Sequence, residues 1–119
     1  MRIGQSPGEG AVEREERRGQ RTIFEEWVEL LSDGEHRLAR SRDLSADGLG
    51  LVLPPPHPPV GARVESEFAL PGFAVALSVS ARVAWSDPAE SRVGLRFEDV
   101  DVAVMELLQS AVAGRFGGG

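Results

Sequence analysis

Residues 73–85 carry the pattern that most constrains the fold of this chain, because apolar side chains there alternate with small or polar ones without interruption. Such alternation places every second side chain on the same face of a β-strand. The pattern therefore predicts a long strand with one buried face, and Trp85 at its end is expected to pack in the core. The residues on that face are Phe73, Val75, Leu77, Val79, Ala81, Val83 and Trp85.

Five shorter segments also have the composition of strands, namely residues 22–31, 36–44, 48–53, 62–70 and 92–98. Turn-forming residues separate them. The run Ser32-Asp33-Gly34-Glu35 predicts a hairpin, and Pro71-Gly72 predicts another turn. The proline-rich residues 54–59 cannot donate to a ladder, so they are predicted to form an extended linker.

The first two of these strands have apolar residues in an informative order. In the first, alternation places Phe24, Val28 and Leu30 on one face and Ile23, Trp27 and Leu31 on the other. This strand is therefore predicted to be covered on both sides or to contain a bulge. In the second, alternation places Leu38, Arg40, Arg42 and Leu44 on one face.

A helix is predicted over residues 102–113, with Asp99 or Asp101 as its N-cap and Gly114 as its end. Its apolar stripe consists of Val104, Leu107, Leu108, Ala111 and Val112. The predicted fold class is all-β with one C-terminal helix. Six antiparallel strands joined by short turns favour a small barrel or a closed sandwich, in which the helix covers an open end.

Composition limits the classes of function. The 119 residues include 13 arginines and no lysine, and the formal net charge is −6. An acidic chain is unsuited to hold long nucleic acid, although arginines gathered in one place can bind a small anion. The absence of cysteine excludes disulfides and leaves the redox compartment open. Because the sequence has no apolar run long enough to cross a bilayer and no signal-peptide apolar region at its N-terminus, we expect a cytoplasmic protein without membrane insertion.

Two short motifs carry candidate binding chemistry. The first is Arg17-x-x-x-Arg21, which also contains Arg18 and precedes the first predicted strand. The second is Asp43-x-Ser45-x-x-Gly48, which lies at the turn after the second strand. Asp and Ser side chains bind backbone amides in such turns, and glycine allows close approach to the backbone.

Together the two motifs resemble those of the PilZ domain family of cyclic di-GMP receptors. The strand Val93-Gly94-Leu95-Arg96-Phe97 and the helix after it are also similar to that family, so the resemblance covers residues 16–112. It implies a six-stranded antiparallel PilZ-type β-barrel over residues 16–114, with a flexible arm over residues 1–15 and a disordered tail over residues 115–119. It also implies a non-catalytic receptor that signals to an unidentified partner protein.

The resemblance further implies a binding site made in two halves. Arg17, Arg18 and Arg21 would supply guanidinium groups that bind phosphate and pair with or stack on guanine. Asp43, Ser45 and the backbone at Gly48 would form the half on the barrel. Because the arm carries one half, ligand binding is expected to order it.

Other functions fit the residues less well. The hexapeptide starting at Asp43 mimics the opening of a calcium loop, but Pro54 occupies the position where that loop needs a glutamate. Ser45, His36 and Asp43 could be assembled into a hydrolase triad, yet no G-x-S-x-G elbow is present. We therefore predict no catalytic residue, metal or cofactor. The alternative that stays open is a PilZ-like adaptor that binds a protein and no nucleotide.

Overall fold

The computed structural model describes residues 21–74 and 76–114. Predictions for Arg17, Arg18, Val75, the arm over residues 1–15 and the tail over residues 115–119 lie outside the described residues. The strands are β1 (Arg21–Ile23), β2 (Trp27–Ser32), β3 (Glu35–Ser45), β4 (Gly48–Val52), β5 (Arg63–Phe68), β6 (Leu77–Asp87) and β7 (Arg92–Phe97), and they are followed by helix α1 (Val102–Val112).

The strands form one antiparallel sheet in the order β1-β3-β2-β5-β6-β7-β4, and an additional pairing of β3 with β4 closes it. Strands β1 and β2 pair with different parts of β3 and act as two segments of one interrupted strand. The result is a closed barrel of six strands with one C-terminal helix, as predicted. Closure removes the free edges that an open sheet of these strands would expose.

The interruption between β1 and β2 covers residues 24–26, and the Ser41 side chain of β3 bridges it. The Ser41 hydroxyl donates to the Phe24 carbonyl at 2.5 Å and accepts from the Glu26 amide at 2.9 Å. Phe24, Val28 and Leu30 are buried, whereas Ile23, Trp27 and Leu31 are exposed. The expectation of cover on both sides is therefore wrong, and the strand is broken instead.

A register shift in β3 alters the predicted faces of that strand. The shift lies between Ser41 and Asp43, in the pairing with β4. Leu38 is exposed before the shift and Leu44 is fully buried after it, so the prediction that they share a face is wrong. One extra residue reverses the alternation, which turns Leu44 into the core and leaves Asp43 on the outer surface.

Strand β6 also departs from the sequence prediction. It starts at Leu77 instead of residue 73, and its register with β7 shifts between Val83 and Trp85. Val79, Ala81 and Val83 are buried as predicted, but Trp85 is 44% exposed. The shift turns the indole outward, so the predicted core role of Trp85 is wrong.

Helix α1 packs against the barrel through Leu108, which is fully buried in the same core as the strands. The Asp101 carboxylate accepts from the Ala103 amide at 2.8 Å, which identifies Asp101 as the N-cap. The helix ends at Val112, one residue before the predicted end. The linker over residues 54–59 is held by Arg37, which donates to the carbonyls of Pro54 and Pro56.

The bridge made by Ser41 predicts a specific loss of stability. In Ser41→Ala, the buried carbonyl and amide at the interruption lose their partner, which is expected to lower the free energy of unfolding by about 1–3 kcal/mol. Ser78→Ala, on the exposed face of β6, is the control and should change it by less than about 0.5 kcal/mol. Urea denaturation of both variants measures the difference. Equal effects would contradict the structural role of the Ser41 hydroxyl.

Candidate functional site

Two of the predicted site residues, Arg21 and Asp43, are in direct contact on the outer surface of the barrel. Arg21 starts β1 opposite Ser45, and Ile23 of the same strand lies opposite Asp43. The Arg21 Nη1 lies 2.5 Å from the Asp43 Oδ1, and the side chains are 46% and 31% exposed. An ion pair this exposed contributes little to stability, and a ligand can reach both of its partly exposed charged groups.

Ser45 faces the turn between β3 and β4 instead of solvent. Its hydroxyl oxygen accepts from the Asp47 amide at 3.1 Å and from the Gly48 amide at 3.0 Å. The residue is only 1% exposed. In this arrangement Ser45 shapes the turn that follows Asp43, and its hydroxyl is not presented at the surface.

Three buried glycines lie in the strands beside the Arg21–Asp43 pair, and we call Gly48, Gly50 and Gly94 the glycine floor. A Cβ at Gly48 would lie 2.0 Å from the Leu95 carbonyl oxygen, so Gly48 lets β4 approach β7 closely. A Cβ at Gly50 would lie 2.7 Å from an Asp43 carboxylate oxygen. The carboxylate therefore lies directly over the Gly50 backbone.

The opposite side of the glycine floor is bounded by Trp85. A Cβ at Gly94 would lie 2.1 Å from the Trp85 Nε1, so the indole lies against the Gly94 backbone. Strand register places these residues in one continuous row across the sheet, in the order Ile23, Asp43, Gly50, Gly94 and Trp85. A carboxylate and an aromatic ring thus cover two neighbouring glycines of the floor.

The neighbouring row adds a guanidinium group that the sequence prediction missed. Arg96 lies opposite Gly48 on one side and Arg82 on the other. Arg82 is engaged by the Glu98 carboxylate at 2.6 Å and the Gly61 carbonyl at 2.9 Å. Arg96 is exposed and has no hydrogen-bond or ion-pair partner within residues 21–74 and 76–114.

The sequence contained a signal for this part of the site. In Val93-Gly94-Leu95-Arg96-Phe97, alternation places Gly94 and Arg96 on the face opposite the apolar residues. Trp85 had no comparable signal, because its outward orientation depends on the register shift in β6. The surface formed by Arg21, Asp43, Trp85 and Arg96 can bind an anion through its two arginines, and it can hold a planar ring against Trp85.

The rival chemistries find no support in the described part of the chain. His36 lies 3.4 Å from Glu29, and Ser45 is bound to its own turn, so the two are not arranged as a nucleophile and its base. Among the described residues, no group of His, Asp and Glu side chains could hold a metal ion. None of the helices described there is long and apolar enough to span a membrane.

Comparison with known proteins identifies one family. The PilZ domain family matches residues 14–114. No curated protein sequence is significantly similar to the chain.

Solved structures of low sequence identity share the fold. The Bacillus subtilis inhibitor of motility MotI/DgrA has a TM-score of 0.67 and 20% identity, with 80% of this chain and 48% of that chain covered. This chain therefore spans about half the length of that protein. The PilZ domain of CeSA from a cellulose-synthesizing bacterium has a TM-score of 0.64 and 17% identity, over 80% of this chain and 96% of that one. The PilZ domain of Escherichia coli YcgR, solved with cyclic di-GMP, has a TM-score of 0.59 and 22% identity, with 75% of this chain and 80% of that chain covered.

Proposed function

Because this chain belongs to the PilZ domain family, we propose that it is a cytoplasmic, non-catalytic receptor for cyclic di-GMP. The observation that carries the proposal is the exposed Arg21–Asp43 pair beside the glycine floor. The structure of YcgR with cyclic di-GMP supports it, since that PilZ domain has the same fold.

The ligand is a dianion with two guanine bases, and each part has a complementary group here. The guanidinium groups of Arg21 and Arg96 can form charge-assisted hydrogen bonds with phosphate or pair with guanine O6 and N7. The Asp43 carboxylate can accept from the donors on the guanine N1 and N2 edge. The Trp85 indole offers a stacking face for a base at the far side of the floor.

Asp43 is held ready for this contact by its neighbours. The carboxylate lies over Gly50, where a side chain would displace it. Ser45 closes the turn just beyond it, and Gly48 lets the same turn pack against β7. We therefore assign Ser45 and Gly48 to the site as positioning residues that shape the barrel-side wall.

Arg17 and Arg18 complete the proposed site from the segment before β1. Arg21 begins β1, and Arg18 and Arg17 lie three and four residues before it in the sequence, close to the Arg21–Asp43 ion pair along the chain. We propose that ligand binding fixes this segment over the glycine floor. Ordering a residue costs about 1–2 kcal/mol, which the charge-assisted contacts must offset. The fixed segment would then change the surface offered to a downstream protein partner, whose identity is open.

Calorimetric titration with cyclic di-GMP tests the receptor function. Arg21→Ala and Asp43→Ala should each weaken binding at least about tenfold, because each removes a charged partner of the ligand. Arg63→Ala is a matched control: the Arg63 side chain is 48% exposed, against 46% for Arg21, but it pairs with Glu98 and Asp99 instead. It should change affinity less than about twofold. Absence of binding to the unmodified chain would favour the adaptor function.

Hydrogen exchange of the backbone amides of residues 13–22 tests the closing of the segment. Exchange should slow when cyclic di-GMP is added, because the arginines become fixed against ligand and barrel. The Arg63→Ala variant should show the same slowing. Unchanged exchange together with tight binding would contradict this part of the proposal and leave the receptor function standing.

A further inference from the structure

A second exposed surface lies on the outer face of β2, β3 and β5, away from the glycine floor. Trp27 and Leu38 are each 59% exposed, and Leu31 is 37% exposed. Trp27 lies opposite Arg40, and Leu38 lies opposite Glu29. This register makes Leu38 a diagonal neighbour of both Trp27 and Leu31. The three side chains lie on one face of the sheet as an apolar band, which we call the outer stripe.

Negative charge collects on one side of the outer stripe. Glu29 of β2 lies directly opposite Glu67 of β5. Like charges in that position repel each other and destabilise the pairing of strands. In the described part of the chain, the basic side chain found beside them is His36, whose Nδ1 lies 3.4 Å from the Glu29 Oε2, and no arginine contacts either carboxylate. The repulsion is thus uncompensated by any permanent positive charge in these residues.

Positive charge lies on the other side of the same stripe. The Arg40 guanidinium stacks over the Trp27 ring, 5.0 Å from its centroid. Within the residues that the structure describes, Arg40 has no carboxylate partner. An arginine without a carboxylate partner among the described residues and two crowded glutamates therefore flank one apolar band.

We propose that the outer stripe is a twofold interface between two copies of this chain. A twofold axis brings the same surface patch together with itself, so the patch must be self-complementary. An apolar band with opposite charges on its two sides meets that condition. Arg40 of each copy would face Glu29 and Glu67 of the other, while Trp27 and Leu38 pack across the axis.

The charge pattern of the outer stripe favours a second copy of the chain as the partner, although the net charge of the chain does not. Each copy carries a net charge of −6, which opposes association. Placing Arg40 of one copy between two glutamates of the other lowers that repulsion where the surfaces meet. The interface is independent of the proposed ligand, and its test is carried out without cyclic di-GMP.

Sedimentation equilibrium of the full chain over a range of concentrations tests the interface. The unmodified chain should self-associate, and Leu38→Lys should weaken association at least about tenfold by placing a charge in the apolar band. The control is Val60→Lys. Val60 is 62% exposed in the loop between β4 and β5, outside the outer stripe, and its change should have no effect.

A charge exchange between copies gives a sharper test of the arrangement. Arg40→Glu alone and Glu67→Arg alone should each associate more weakly than the unmodified chain, because each self-pairing adds a contact between like charges. A mixture of the two variants should associate more strongly than either variant alone. One contact then keeps Arg40 against Glu29 and Glu67, and the other sets the carboxylate introduced by Arg40→Glu against the guanidinium introduced by Glu67→Arg. A structural change within a single copy would not restore association when the two variants are mixed. Restored association therefore identifies a contact between copies.

Three results would overturn the proposal. The first is a chain that stays monomeric at every concentration. The second is association that Leu38→Lys does not weaken. The third is association of the unmodified chain with no recovery when the two charge variants are mixed.

Discussion

Strand β3 must hydrogen-bond along both of its edges for the barrel to close, and it does so while changing which side chains face the core. Its pairing with β4 completes the barrel, and β1 and β2 share its other edge. The register shift between Ser41 and Asp43 lets Leu44 enter the core while Asp43 stays outside. Without the extra residue between Ser41 and Asp43, the regular alternation of β3 would turn Asp43 into the core or Leu44 out to the candidate site.

The same principle governs the far side of the candidate site. A shift between Val83 and Trp85 in β6 turns the indole outward, where it meets the backbone of Gly94. Asp43 and Trp85, the two side chains that border the glycine floor, are therefore both positioned by register shifts in otherwise regular strands. The floor itself depends on close approach, since a side chain at Gly50 or Gly94 would displace the group above it.

This arrangement explains which features could be predicted from sequence. Alternation in β5 and β7, the hairpin at Asp33-Gly34 and the capped helix follow from local rules, and the barrel follows from their order. The two motifs identified Arg21 and Asp43, which the structure brings together. The predicted core role of Trp85 is wrong, because the alternation within one strand cannot reveal a register shift that depends on the neighbouring strand. Arg96 was overlooked although its face could be read from the strand pattern.

The barrel offers two different outer surfaces, and β3 contributes to both. Asp43 lies on the surface with the glycine floor, whereas Leu38 and Arg40 lie on the outer stripe. The first combines guanidinium groups, a carboxylate and an aromatic ring, a chemistry suited to a small planar anion. The second combines an apolar band with opposite charges, a chemistry suited to another protein surface. One small barrel can in this way carry a ligand site and an interface without overlap.

The proposal that the rest depends on is that cyclic di-GMP binds against Asp43 and Trp85, the side chains that cover the glycine floor. Nuclear magnetic resonance of the 15N-labelled chain during titration with the ligand tests it most directly. The account predicts that the Trp85 indole N–H, the Arg96 side chain and the Gly50 amide shift together, while the Trp27 indole N–H stays in place. Binding that shifts Trp27 and leaves Trp85 and Gly50 unmoved would contradict it.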